Sequence, residues 1–152
     1  MEIKFSKSDL LEMFNEDVSR LAARSRTEEG LSLYDAVKLT SRDSSIVERM
    51  LEDRMALARG FLAFCLGANE QEGDNYVFEI LEDRCPTHPS ESTIKTLLRK
   101  YIVEGALLDW YARHSIPSSY SVEGISAIKD RLVCTLRQGA VKRPLQPFGP
   151  RK

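Results

Sequence analysis

Two side chains that often bind metals stand three residues apart, Cys85 and His88. Thiolate sulfur and imidazole nitrogen are ligands that zinc prefers, but a structural zinc site needs four such ligands. No second pair of cysteines or histidines completes the set in this sequence. We therefore interpret Cys85 as a partly buried thiol beside a surface histidine, and we expect no metal.

A group of carboxylates offers general acid–base chemistry. Glu79, Glu82 and Asp83 lie just before Arg84, and neighbouring carboxylates can transfer protons in a reaction. A solvated turn explains the same residues equally well. The sequence has no glycine-rich phosphate loop, no metalloprotease histidine pair, no GxSxG elbow and no cysteine pairs of zinc-site spacing. We predict that the protein is not an enzyme and needs no cofactor.

Basic and aromatic residues raise DNA binding as an alternative. The stretch PSEST ahead of Lys95, Arg99 and Lys100 can mark a recognition helix, and Trp110 and Tyr111 could stack on bases. The same helix continues into VEGALLDWYA, which must be buried. With 22 basic and 23 acidic residues, a net charge of −1, the chain has no general attraction for nucleic acid. A small cytosolic DNA-binding or regulatory protein remains the alternative function.

The composition predicts one folded domain. The chain has 152 residues, of which 42% are apolar and 30% charged, so a core can form without a disulfide or a metal. Its longest apolar run is far shorter than the ~20 residues of a membrane-spanning helix. Three widely spaced cysteines fit a reduced, cytosolic protein. We expect no membrane partner.

The clearest element is a helix from Ser92 to His114. Apolar residues recur there with helical spacing, at Ile94, Leu97, Leu98, Tyr101, Ile102, Gly105, Leu108 and Ala112. Four more widen the apolar surface beyond one stripe, namely Val103, Leu107, Trp110 and Tyr111. His114 closes the helix, where a cationic side chain suits the dipole. We expect this helix to lie at the centre, covered on more than one side by other helices or by a neighbouring subunit.

Two helices precede this central one. The first begins near Ser8 and ends near Arg24, and residues 25–43 form a loop with a short ordered piece. The second begins at a cap in residues 43–45 and ends before Gly67. Its predicted inner face consists of Ile46, Met50, Leu51, Leu57, Ala58, Phe61, Leu62 and Cys65. Residues 76–81 have the composition of a strand, with a helical turn as the alternative.

The last helix extends from Val122 to Arg137 and is stopped by Gly139. Its predicted inner face is Val122, Ile125, Ile128, Leu132, Val133 and Leu136. The elements together predict a mainly α fold, a small bundle of about four helices with a short β element between the second and third long helices. We expect residues 1–139 to form this helical domain and residues 140–152 to form an extended tail rich in proline and arginine.

The order of these elements resembles a family of phage proteins. The pattern covers Asp43 to Leu62, a capped helix, and Ile94 to Arg113, a helix ending in aromatic residues. It is similar to the small head-to-tail connector (adaptor, head-completion) proteins of tailed phages and prophages. The second helix departs from the family pattern, because bulky Met50, Met55 and Phe61 stand where such helices often have small residues.

The resemblance implies a structural role in the virion neck, after assembly in the host cytoplasm. Copies would form a homo-oligomeric ring under the portal protein, extend the DNA channel and present a surface to a tail or stopper protein. DNA would pass through without sequence recognition. The residues expected to contact partners are Lys142, Arg143, Pro144, Leu145, Pro147, Phe148 and Arg151 in the stiff tail, and Val103, Leu107 and Trp110 on the central helix.

Overall fold

The computed structural model describes residues 1–29, 43–85 and 89–145. In these ranges the chain forms four α-helices and one small sheet, which confirms the predicted mainly α fold. The elements are β1 (Glu2–Ser6), α1 (Lys7–Glu29), α2 (Asp43–Phe61), β2 (Gln71–Glu72), β3 (Asn75–Glu79), a 3-10 turn (Glu82–Arg84), α3 (Glu91–Arg113) and α4 (Val122–Leu145). Residues 30–42 of the loop expected at 25–43, His88 and residues 146–152 lie outside the described ranges.

The sheet is antiparallel, with strand order β1-β3-β2. The segment predicted as strand or helical turn is a strand, because residues 75–79 pair with β1 along its whole length, for instance Ile3 with Phe78. The sequence reasoning missed β1. Ile3 and Phe5 are buried while Glu2 and Lys4 face outward, the alternation of a half-buried strand.

The helix α3 lies at the centre, as predicted. It contacts α1, α2, α4 and β1, and eleven of its residues are buried: Ile94, Leu97, Leu98, Tyr101, Ile102, Val103, Gly105, Ala106, Leu107, Trp110 and Tyr111. At its end the backbone N–H of His114 donates to the carbonyl of Trp110. Among the described residues, no helix is long and apolar enough to cross a membrane.

The prediction that Val103, Leu107 and Trp110 form a contact surface for a neighbouring subunit is wrong. Their exposed fractions are 7%, 1% and 1% in a single chain. The reason is α1, which covers this side of α3. The ring of Phe14 on α1 meets the indole of Trp110 edge to face, with 5.9 Å between centroids. The surplus apolar surface is therefore part of the chain's own core.

Three predicted helix ends are also wrong. The helix α1 continues past Arg24 to Glu29, since residues 25–29 contain no glycine or proline. The helix α4 continues past Gly139 to Leu145, because one glycine costs a helix only about 1 kcal/mol relative to alanine. Six residues of the predicted tail, 140–145, are thus helical. The helix α2 ends at Phe61, well before Gly67.

Gly67 serves the sheet rather than the end of a helix. Its N–H donates to the carbonyl of Glu79 over 2.8 Å, and a Cβ at this position would collide with the Glu79 carboxylate. Two predicted inward positions are also wrong, because Leu57 is 54% and Val122 69% exposed.

Candidate functional site

The predicted partner-contact residues fall into two groups in the structure. Lys142, Arg143, Pro144 and Leu145 lie in the last turn of α4, on the described backbone, and Pro147, Phe148 and Arg151 lie outside the described residues. The contacts of these seven side chains remain predictions. Of the three core residues, Val103 and Leu107 line one cleft, while Trp110 does not.

This cleft lies between α1 and α3 and has a volume of about 170 Å³. Its apolar lining is Met13 from α1 and Val103 and Leu107 from α3. The lining residues of each helix recur with helical spacing, so two rigid elements position them. We call this feature the basic cleft, because its lining also includes three cations: Arg20, Arg99 and Lys100.

An acid on α1 fixes one end of the basic cleft. The Asp17 carboxylate accepts hydrogen bonds from the hydroxyls of Tyr111, at 2.8 Å, and Tyr120, at 2.7 Å. The two tyrosine rings are parallel, with centroids 6.5 Å apart. Burial, followed by the bond to Asp17, raises the pKa of Tyr120. Tyr120 is therefore a fixed hydrogen-bond donor that ties the loop after α3 to α1.

The cations of the basic cleft form no salt bridges with the described side chains. None of Arg20, Arg99 and Lys100 has a carboxylate within 4.0 Å there. The second acid in the lining is Glu104, and burial raises the pKa of its carboxyl group, opposed by the charge of Lys100. The lining thus contains three cations, Arg20, Arg99 and Lys100, against the two carboxylates of Asp17 and Glu104. Through the cation in excess, the basic cleft can bind an anionic group.

The residues with catalytic or metal-binding potential in the sequence have structural contacts instead. Glu79 accepts a hydrogen bond from the backbone N–H of Asn69 at 3.1 Å. Cys85 is buried, and burial raises the pKa of its thiol. His114 lies over the indole of Trp110 at 4.0 Å between centroids. No group of three or more metal-ligating side chains occurs in the described part of the chain.

One partly buried ion pair was missed by the sequence reasoning. Arg54 on α2 donates from Nε and Nη2 to the two carboxylate oxygens of Asp109 on α3, at 3.0 and 2.9 Å. The Arg54 side chain crosses α3 directly over Gly105, where a Cβ would lie 2.6 Å from its Cδ. Gly105, one turn before Asp109 in an otherwise apolar stretch, was the available sequence signal.

A larger concavity of about 700 Å³ lies along the outer face of α1, beside Leu11, Glu12, Asn15 and Glu16. Its described lining comes from one helix alone, so it is an open surface and not an enclosed site. The basic cleft, which two helices and a loop enclose, is the better candidate.

Comparisons with protein-family models, with curated proteins and with solved structures each find no match. The resemblance to phage connector proteins therefore remains a prediction from the sequence pattern.

Proposed function

We propose that this protein is a structural assembly protein of a phage neck. It forms a ring between the portal and the tail and extends the DNA channel, in the virion neck after assembly in the host cytoplasm. The observation that carries the proposal is the basic cleft. Its cations stand on two packed helices and form no salt bridge with the described side chains, and such an arrangement suits the binding of an acidic side chain from another protein.

The sequence pattern supports the same proposal. The segments Asp43 to Leu62 and Ile94 to Arg113, which carry the resemblance, belong to α2 and α3, the helices that form the centre of the domain. The C-terminal segment contains Pro144, Pro147 and Pro150. Proline restricts the backbone, so such a segment loses little entropy when it docks on a portal or stopper protein.

The overall charge is compatible with a DNA channel. A net charge of −1 gives little general attraction for phosphates, and weak attraction lets DNA move through a ring without being retained. Recognition of base sequence is not required for this role.

Electron microscopy of the protein with the portal protein of the same phage or prophage tests the proposal. We expect a ring on the portal axis. The DNA-binding alternative would be supported instead if the protein does not bind the portal and binds duplex DNA with a steep dependence on salt.

A deletion provides the matching biochemical test. Removal of residues 146–152 starts after the last residue of α4, so we expect the domain to keep its melting temperature and to lose binding to the portal. The control variant carries a glycine–serine segment of equal length in place of these residues. Portal binding that survives the deletion would contradict the predicted role of the tail.

A further inference from the structure

The domain has a second charged surface, which is acidic and thus opposite in sign to the basic cleft. The hairpin of β2 and β3 presents three exposed acids: Glu70 just before β2, Glu72 in β2 and Asp74 in the turn. We call these three residues and their turn the acidic hairpin. Gly73 within it has φ of +62°, a left-handed conformation that glycine adopts without strain.

The acidic hairpin is held in place by its own chain. Arg59 donates from Nη2 to the carbonyls of Glu70, at 3.1 Å, and Val77, at 2.8 Å. The backbone N–H of Lys7 donates to the carbonyl of Asp74 at 3.3 Å. These bonds leave the carboxylates of Glu70 and Asp74 without a cation within 4.0 Å among the described side chains, whereas Glu72 pairs with Lys4.

The two surfaces lie too far apart to meet within one molecule. The acidic hairpin touches Lys7 at the start of α1, and the basic cleft reaches Arg20 on the same helix. At a rise of 1.5 Å per residue these positions are about 20 Å apart. Two different surfaces of opposite charge on one chain, which cannot meet within one molecule, permit head-to-tail association of identical subunits.

We propose that the acidic hairpin of one copy docks on the basic cleft of a second copy. The inference rests on the proposed neck function and names the contact between neighbouring subunits of the ring. The carboxylates of Glu70 and Asp74 pair with Arg99 and Lys100, and Arg20 stands at the edge of the same contact. Because the surfaces differ, the contact is heterologous, and it closes into a ring when the rotation between copies divides a full turn.

Charge reversal of the two surfaces tests the contact in the full-length protein. One variant carries Glu70→Lys with Asp74→Lys, and the other carries Arg99→Glu with Lys100→Glu. In sedimentation velocity at low salt we expect each variant to self-associate about tenfold more weakly than wild type. An equimolar mixture of the two regains assemblies in which the variants alternate, because each reversed hairpin then meets a reversed cleft.

A matched control for the hairpin variant carries Glu123→Lys with Asp130→Lys, which makes the same change in net charge on the exposed side of α4. We expect it to associate like wild type. Circular dichroism and melting temperature verify that all variants fold. Carbodiimide coupling of mixed light and ¹⁵N-labelled protein adds a direct readout, an amide between Lys100 of one copy and Glu70 or Asp74 of another.

The inference would be overturned by a wild type that stays monomeric at about 1 mM, a concentration far above the usual dissociation constants of specific assemblies. It would also be overturned by variants that associate like wild type, or by a mixture of the two variants that does not regain association. If a wild-type monomer binds the portal protein through the basic cleft, the occupant is an acidic surface of that partner. Rings on the portal that tolerate the reversals leave the neck function standing and refute this contact. If the mixture of the two variants regains association but the protein does not bind the portal, the contact stands and the neck function is refuted.

Discussion

Replacement of Gly105 by alanine tests a close contact between α2 and α3. The new Cβ would lie 2.6 Å from Cδ and 2.7 Å from Nε of Arg54, closer than real Cβ contacts. Arg54 must then move, and it cannot move while both of its donors remain on the Asp109 carboxylate. The substitution therefore breaks the bidentate ion pair between Arg54 and Asp109, and it places a residue of higher helix propensity at position 105.

The free energies of the lost ion pair and of the gained helix propensity can both be estimated. A hydrogen bond to a charged group contributes about 1.5–3 kcal/mol. Asp109 is 42% exposed, so solvent screening places the whole pair at about 2–3 kcal/mol. Alanine recovers about 1 kcal/mol of helix propensity relative to glycine. We expect Gly105→Ala to lower the free energy of unfolding by about 1–2 kcal/mol.

Urea unfolding followed by the fluorescence of Trp110, the single tryptophan, measures this change. The midpoint should fall by roughly 0.5–1 M. Gly60→Ala in α2 is the matched control, because nothing lies within 4 Å of its added Cβ, and it should stabilise by up to about 1 kcal/mol. In an Arg54→Ala background Gly105→Ala should also stabilise. A stabilising Gly105→Ala in the wild-type chain would refute the reasoning.

Three further outcomes are expected. Ser121→Ala should lower the free energy of unfolding by about 0.5–2 kcal/mol in urea, because the Ser121 hydroxyl accepts the Gly124 N–H at 3.0 Å near the start of α4. Burial raises the pKa of the Glu104 carboxyl group above its value in the unfolded chain. The stability that the protonated group contributes is therefore present below the unfolded pKa and is lost as pH rises through the folded pKa. We expect Glu104→Gln to raise the urea midpoint at pH 7 but not at pH 4. Cys134 is exposed, and burial raises the pKa of Cys65 to about 12; maleimide should therefore label Cys134 in native protein, and mass spectrometry should find Cys65 modified only after unfolding.

Helical periodicity predicted most of the fold because it reports which face of an element is apolar. It placed α3 at the centre and located the start of α4 at Val122. It could not locate the ends of helices where Gly139 or the run after Arg24 gave no strong stop signal. The strand β1 was missed although Glu2 to Phe5 alternates, because two apolar residues give a weak period-2 signal until β3 supplies the partner.

The candidate site was less predictable, for a physical reason. The apolar surface of Val103 and Leu107 was visible in the sequence, but periodicity along one helix cannot tell whether α1 or another subunit covers it. The structure answers that question with Phe14, which packs against Trp110. The unpaired charge of Arg99 and Lys100 became meaningful only when α1 brought Arg20 to the same cleft.

Burial of the apolar residues changes where a partner contact is expected. The described part of the chain exposes only two large hydrophobic side chains, Leu57 and Val122, and obligate interfaces need far more apolar area than that. Assembly through this surface must then depend on complementary charge. Contacts of that kind form quickly, weaken as salt rises, and permit a subunit to stay monomeric until a portal gathers its copies. A proposed neck protein whose copies associate weakly in solution and gather at the portal needs these same properties.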